Sequence, residues 1–253
     1  MPHAGEKVLP VLASLLVFVL ALTAGALGSV VGTGSSLVLL PVLVVLYGPR
    51  AAVPMMAIAS VLGNAARVIA WWRDIRWRAV AIYTAPGVPA AVLGAHTLLT
   101  ISPRIVDGFL GLFFLAMIPV RRVAAARAWR VRSWHLAIAG AVVGFLTGLV
   151  LSTGPLSVPV FTCFGLSGGT FLGTEAASAV VLYVAKLLTF GEFGVLSARL
   201  VLQGLVIGAA LMVGPFITRR LVRNLRPRLY VLVIDGVLIV AGAGMFATTA
   251  SPS

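Results

Sequence analysis

The sequence predicts an all-α protein, a polytopic bundle of transmembrane helices with almost no water-soluble part. Its 253 residues are 60% hydrophobic and only 10% charged, whereas a soluble domain has roughly 25% charged residues. Apolar runs of about 20 residues, the length that crosses the hydrocarbon core of a bilayer, follow one another along the chain. Arginines are concentrated in short segments between these runs, which is typical of cytoplasmic loops. The net charge of +13 therefore indicates contact with an anionic lipid surface rather than with nucleic acid.

Eight apolar segments are long enough to form transmembrane helices, and two shorter segments accompany them. The long helices are predicted at residues 8–31, 51–72, 79–99, 105–120, 136–151, 169–190, 198–217 and 229–248. The short segments, 36–47 and 155–164, would span only about 15–18 Å as helix. Each follows a run of small residues and contains a proline, Pro41 or Pro159. These two segments are therefore predicted to be short, broken helices.

The chain shows an internal duplication with a constant offset of 118 residues. The offset pairs Ser36 with Gly154, Pro41 with Pro159, Ser60 with Ser178 and Asp74 with Glu192. Internal repeats are a feature of many secondary transporters. The duplication predicts two pseudo-symmetric halves, with a first transmembrane repeat at 1–122, a basic cytoplasmic linker at 123–134 and a second transmembrane repeat at 135–253. Chance matching within an alphabet of small apolar residues is the alternative explanation.

Three arginine-rich loops, at residues 73–78, 121–132 and 219–228, set the predicted orientation. If all three are cytoplasmic, the two helices after the first loop run outward and back, and the turn at Glu192 is external. Asp74, the counterpart of Glu192 in the first half, is then internal. The two halves are accordingly predicted to be inverted relative to each other.

The small residues before the two broken helices are the first candidates for a binding site. Helix breaks at membrane depth leave peptide N–H and C=O groups unpaired, which is tolerated where protein or a water-filled cavity satisfies them. The start of each short helix also presents free N–H groups and the positive end of the helix dipole, which suit an anion. The candidate substrate-binding residues are Gly34, Ser35, Ser36, Ser152, Thr153 and Gly154. The alternative is that these small residues only allow helices to pack closely.

Ionisable and amide residues within the apolar segments are the next candidates, because a charge in the bilayer is costly. Glu175 lies beside the second break and can carry a coupling proton; an ion pair with Lys186 and a helix cap are the alternatives. Lys186 is expected to extend to the membrane surface. Asn64 is a candidate substrate-binding residue, with a helix-to-helix hydrogen bond as the alternative. Arg67 is either an anion partner or a residue that faces water.

Several of these motifs resemble the TauE/SafE family of sulfite exporter-like membrane proteins. They are the proline five residues after each break (Ser36 to Pro41, Gly154 to Pro159), the Gly173-Thr174 pair and the loop at residues 74–78. The resemblance implies export or uptake of sulfite, sulfonates or related small organosulfur and carboxylate anions without ATP, with export as the expected direction. It adds Thr174 to the candidate substrate-binding residues. It also implies a multi-pass protein of the bacterial inner membrane.

Other functions fit the sequence less well. An anion channel remains as an alternative, since channels and transporters both need polar, broken helices. A non-transporting membrane assembly factor is the other alternative. The segment at 165–168 matches the Gly-x-Ser-Gly pattern of rhomboid proteases, but no histidine follows His135 to serve as the base. No enzyme activity, cofactor, metal or nucleic-acid partner is expected. The expected partners are a small anion, the lipid bilayer and a coupling proton or cation, while the sequence leaves a homo-oligomer open.

Overall fold

The computed structural model of the chain describes residues 35–101, 132–149 and 154–221, together with positions 17, 19–23, 25, 105 and 112. The regular elements within these residues are helices, connected by short turns. They are α1 (Ser35–Tyr47), α2 (Pro49–Ala70), a 3-10 turn (Trp72–Asp74), α3 (Trp77–Thr100), α4 (Ser133–Leu149), α5 (Gly154–Cys163), α6 (Gly168–Glu192) and α7 (Ala198–Leu221). The prediction of an all-α protein is confirmed for this part of the chain.

Five of the predicted long helices are observed, with their ends displaced by a few residues. The predictions at 51–72, 79–99, 136–151, 169–190 and 198–217 correspond to α2, α3, α4, α6 and α7. The helix predicted at 229–248 lies outside the described residues. Those predicted at 8–31 and 105–120 are described only at positions 17, 19–23, 25, 105 and 112, which are helical. The count of eight long helices therefore stays a prediction.

Both short helices form close to their predicted positions. The helix α1 begins at Ser35 and α5 begins at Gly154, so each starts within the run of small residues that precedes it. Pro159 lies inside α5. Gly48 alone separates α1 from α2, at a φ of 75° that a glycine adopts without strain. At 13 and 10 residues, neither helix is long enough to cross a bilayer.

A tight turn joins α5 to α6. The chain leaves α5 through Gly165, whose φ is 92°, and the N–H of Leu166 donates a hydrogen bond to the carbonyl of Phe161 at 3.1 Å. A left-handed glycine with this bond is the common way to end a helix. Gly194 ends α6 in the same manner. The tetrapeptide that matches the rhomboid pattern is therefore the turn between two helices.

Glycines bring α3 and α4 into backbone contact. Three glycines spaced by four residues form one face of α4, and a Cβ added to any of them would overlap a carbonyl oxygen of α3. The three pairs are Gly140 with Tyr83, Gly144 with Gly87 and Gly148 with Ala91. Residue numbers rise together in these pairs, so α3 and α4 run parallel. Small residues at such spacing are typical of close helix packing in membranes.

The remaining helices pack with defined directions. The hydroxyl of Thr174 near the start of α6 contacts the backbone at Arg76, and Leu182 further along α6 lies against Gly87. The helix α6 therefore runs parallel to α3. Residue numbers also rise together in the contacts between α2 and α7, so these two helices run parallel. The contacts are Gly204 with Met55, Gly208 with Ala59 and Leu211 with Gly63. Contacts of α2 with α6 run the other way, since Arg67 meets Glu175 and Ser60 meets Tyr183. The helices α2 and α7 therefore point opposite to α3, α4 and α6.

Among the described residues, three helices are long and apolar enough to cross a membrane, namely Arg50–Ala70, Trp77–Thr100 and Gly168–Glu192. The helix Ser133–Leu149 and the segment 198–213 are shorter apolar helices. Large apolar side chains on the outside, such as Ile69, Leu93 and Leu188, are more than 60% exposed. Since a water-soluble surface would not carry such residues repeatedly, this exterior suits lipid.

Candidate functional site: a buried polar network beside a broken helix

An ion pair joins α2 to α6 inside the bundle. The Nη1 of Arg67 lies 3.1 Å from Oε2 of Glu175, and the two side chains are only 13% and 5% exposed. The residues are far apart in the sequence and meet because α2 and α6 pack antiparallel, with Ser60 hydrogen-bonded to Tyr183 further along the same contact. Neither charge is balanced by water to any large extent, so each depends on the other.

Two further side chains fix the geometry of this pair. The hydroxyl of Ser157, on the broken helix α5, donates to Oε1 of Glu175 at 3.1 Å. The side-chain oxygen of Asn64 accepts a hydrogen bond from the Arg67 guanidinium. The Asn64 amide nitrogen in turn donates to the carbonyl of Ser60 at 2.7 Å, one turn earlier on α2. The network therefore connects α2, α5 and α6, and only α5 among these is too short to cross a bilayer.

The start of α6 is hydrogen-bonded to, and closely packed against, the turn between α2 and α3. The hydroxyl of Thr174 is fully buried and accepts a hydrogen bond from the backbone N–H of Arg76 at 3.0 Å. A Cβ at Gly173 would lie 3.0 Å from the carbonyl oxygen of Trp71, and one at Gly169 would overlap the Trp71 ring. In this conformation the Gly173-Thr174 pair brings the start of α6 against the turn between α2 and α3. It places Glu175, the next residue, at the ion pair.

The sequence model of the sulfite exporter TauE/SafE family matches residues 17–245, nearly the whole chain. The chain belongs to the sulfite exporter TauE/SafE family. Comparisons with curated proteins and with solved structures gave no match. TauE/SafE is a family of membrane transporters of the sulfite exporter type and not an enzyme family. The resemblance inferred from the two breaks, Gly173-Thr174 and the 74–78 loop is thereby confirmed.

The predicted site residues of this TauE/SafE chain are distributed as follows. Asn64 and Glu175 belong to the same network, while the hydroxyl of Thr174 is hydrogen-bonded to the backbone N–H of Arg76. Ser36 is half-buried in the first turn of α1, and Ser35 and Gly154 are the first residues of the two short helices. Gly34, Ser152 and Thr153 lie outside the described residues. Their role in binding, like that of the residues at the helix starts, stays a prediction.

Glu175 neither pairs with Lys186 nor caps a helix, the two alternatives considered from the sequence. Lys186 lies 11 residues further along α6, which corresponds to about 16 Å along a helix, so the two side chains cannot meet. Glu175 also lies about two turns past Gly168, where α6 begins, and so does not cap the helix. Its partner is Arg67, for which the sequence left open an anion partner or a water-facing position.

The expectation that Lys186 extends to the membrane surface is wrong. Its side chain is 0% exposed. The Nζ donates to the carbonyl of Thr147 on α4 at 2.8 Å and lies 5.3 Å from the centre of the Phe190 ring. A carbonyl oxygen and an aromatic face are both favourable partners for an ammonium group. Lys186 therefore holds α6 against α4 from inside the bundle.

Ser157 and Tyr183 were not identified from the sequence as part of the site. Ser157 carried a usable signal, because it lies within the predicted broken helix. Tyr183 had none, since one tyrosine in an apolar helix looks like a packing residue. Within the part of the chain described, no group of three or more His, Cys, Asp or Glu side chains is arranged to hold a metal ion.

Proposed function

We propose that this chain is a secondary transporter of small anions, such as sulfite, sulfonates and related organosulfur or carboxylate anions, working by alternating access between two inverted halves. The observation that carries the proposal is the buried Arg67–Glu175 pair, hydrogen-bonded to a broken helix. An intramembrane ionisable residue is retained at a cost and usually marks a solute or proton pathway. Membership of the sulfite exporter TauE/SafE family supports a small anion as the substrate.

Arg67 is the proposed charge partner of the transported anion. Its guanidinium has a planar set of donors that matches a carboxylate or a sulfur oxyanion. In the conformation observed, Glu175 takes up this partner and Asn64 holds the guanidinium in place. An anion that reaches Arg67 must therefore compete with the Glu175 carboxylate.

This competition provides a route to proton coupling. When Glu175 binds a proton, it loses its charge and its attraction to Arg67 weakens, so an anion can replace it as the charge partner of the guanidinium. The Ser157 hydroxyl, which now donates to Glu175, can then donate to the same anion instead. One proton and one anion would bind together, and the total charge within the bundle would stay unchanged. Such an arrangement avoids carrying an unpaired charge through the low-dielectric interior.

The arrangement of the helices supports two inverted halves. The offset of 118 residues brings α1 onto α5, α2 onto α6 and α3 onto α7, each within a few residues at both ends. In the last two pairs the equivalent helices point in opposite directions, as their packing contacts indicate. An axis in the membrane plane relates equivalent elements in this way, whereas an axis along the membrane normal would leave them parallel.

Transport can be tested with purified protein in proteoliposomes, by following uptake of radiolabelled sulfite. Saturable uptake that responds to a proton gradient is expected, and Glu175→Gln should keep saturable uptake but lose the response to the gradient. Glu192→Gln is the matched control, because it makes the same change at the exposed end of α6. Methanesulfonate stays ionised over the whole pH range of the assay. A pH response that persists with methanesulfonate must therefore come from protonation of the protein and not of the substrate.

Three results would contradict parts of the proposal. Flux that rises linearly with sulfite concentration would indicate a channel. Absence of flux for sulfite, methanesulfonate and acetate would favour an assembly factor. An unchanged response to the gradient in Glu175→Gln would assign Glu175 to stabilising the structure alone.

A further inference from the structure

Tyr83 carries a buried hydroxyl that makes no hydrogen bond within the described part of the chain. The side chain lies on α3 and is 1% exposed. Its ring packs against Phe161 of the broken helix α5, with the ring centres 4.8 Å apart. Among the side-chain nitrogen and oxygen atoms buried to this degree in the described residues, the Tyr83 hydroxyl oxygen is the one without a partner.

The missing partner is costly in a packed interior. A buried donor left unsatisfied costs about 1–3 kcal/mol, and buried tyrosine hydroxyls usually have a partner. Tyr183, which is also buried, illustrates the usual case because its hydroxyl is hydrogen-bonded to Ser60. A phenylalanine at position 83 would keep the contact between the rings without this cost. The hydroxyl therefore serves a purpose other than packing.

The surroundings of Tyr83 connect it to the polar network. Phe161, which packs on its ring, is four residues after Ser157, so the two residues share one face of α5. Ser157 on that face donates to Glu175. The unsatisfied hydroxyl and the Arg67–Glu175 pair therefore border the same side of the broken helix.

We infer that the Tyr83 hydroxyl donates a hydrogen bond to an oxygen of the transported anion, on the α3 side of the site. This inference rests on the proposed function. A neutral hydroxyl suits the role, because it binds an oxyanion without adding a charge that must be neutralised when the anion leaves. The ligand class is a small anion with several exposed oxygens, such as sulfite or a sulfonate. The anion would lie between Arg67 on α2, Ser157 on α5 and Tyr83 on α3.

The test compares two tyrosine-to-phenylalanine variants in detergent solution, with melting temperatures measured over a series of sulfite concentrations. Tyr83→Phe should melt at or above the temperature of the wild type without sulfite, because it removes an unsatisfied group. Its dissociation constant for sulfite should rise roughly tenfold, the equivalent of about 1.4 kcal/mol. Tyr183→Phe is the matched control, since it breaks the bond to Ser60 and should lower the melting temperature without sulfite.

The outcomes separate this inference from the function on which it rests. If sulfite stabilises the wild type and Tyr83→Phe with the same dissociation constant, the hydroxyl does not bind the anion, and the proposed function is unaffected. If Tyr83→Phe without sulfite loses as much stability as Tyr183→Phe, the hydroxyl has a structural partner and the inference is wrong. If sulfite, methanesulfonate and acetate stabilise neither wild type nor variant, the proposed function itself fails.

Discussion

Replacing Arg67 by methionine tests the strength of the buried ion pair. Methionine keeps much of the length and the apolar stem of arginine. It leaves Glu175, 5% exposed, with the hydrogen bond from Ser157 as its remaining partner among the described residues. Removing one partner of a buried pair costs about 3–5 kcal/mol. The lower end applies here, because Arg67 itself is 13% exposed. At roughly 2–4 °C per kcal/mol for a chain of this size, a loss of about 3 kcal/mol predicts a fall in melting temperature of roughly 6–12 °C.

The assay is thermal unfolding in detergent at neutral pH, extended to a double-mutant cycle with Glu175→Gln. If the two residues stabilise each other, the double variant should lose less than the sum of the single losses, by about 1–3 kcal/mol. Arg78→Met, at an exposed position in the first turn of α3, is the matched control and should change stability by no more than about 0.5 kcal/mol. Losses that add up, together with a shift for Arg67→Met as small as that of the control, would refute a stabilising ion pair.

Three further predictions concern packing, the anion site and topology. Gly144→Leu should lower the melting temperature or the yield of folded protein, because even a Cβ would lie 2.8 Å from the Cα of Gly87. A melting temperature equal to that of the wild type would show that α3 and α4 can move apart without loss of stability. Gly154→Leu, at the first residue of α5, should keep expression but abolish stabilisation by sulfite, whereas unchanged affinity would mean that the glycine only serves packing. Single cysteines replacing Arg127 and Glu192 in a cysteine-free background should be labelled from opposite sides of the membrane, and labelling from the same side would exclude the inverted arrangement.

The positions of the broken helices were predictable because their signals are local. A run of small residues ends one helix, the next apolar segment is too short to span, and a proline within it limits its extension. These features predict starts near Ser36 and Pro155, and the helices begin at Ser35 and Gly154. The all-α class follows from composition together with the length of the apolar runs. Backbone groups in a bilayer must be paired within helices or closed barrels, and runs of about 20 apolar residues suit helices rather than the shorter strands of a barrel.

The partners of the buried charges were not predictable, because they depend on how distant helices pack. Glu175 meets Arg67 through the antiparallel contact of α2 and α6, which no spacing within one helix reveals. Lys186 was expected at the surface because lysine near a helix end usually reaches water. The direction in which it points is instead set by α4, whose Thr147 carbonyl accepts its hydrogen bond.

The contact between α3 and α4 also determines which parts of the bundle can move. At Gly140, Gly144 and Gly148 of α4 no side chain separates the helix from the α3 carbonyls, so rotamer changes cannot relieve these three contacts. Sliding or turning one helix would drive backbone atoms into each other, and the pair therefore has a single geometry. The face between α2 and α6 is different, because Arg67, Asn64 and Glu175 can change hydrogen-bond partners without moving the backbone. A change in access during transport would thus begin at the polar face, while α3 and α4 stay fixed against each other.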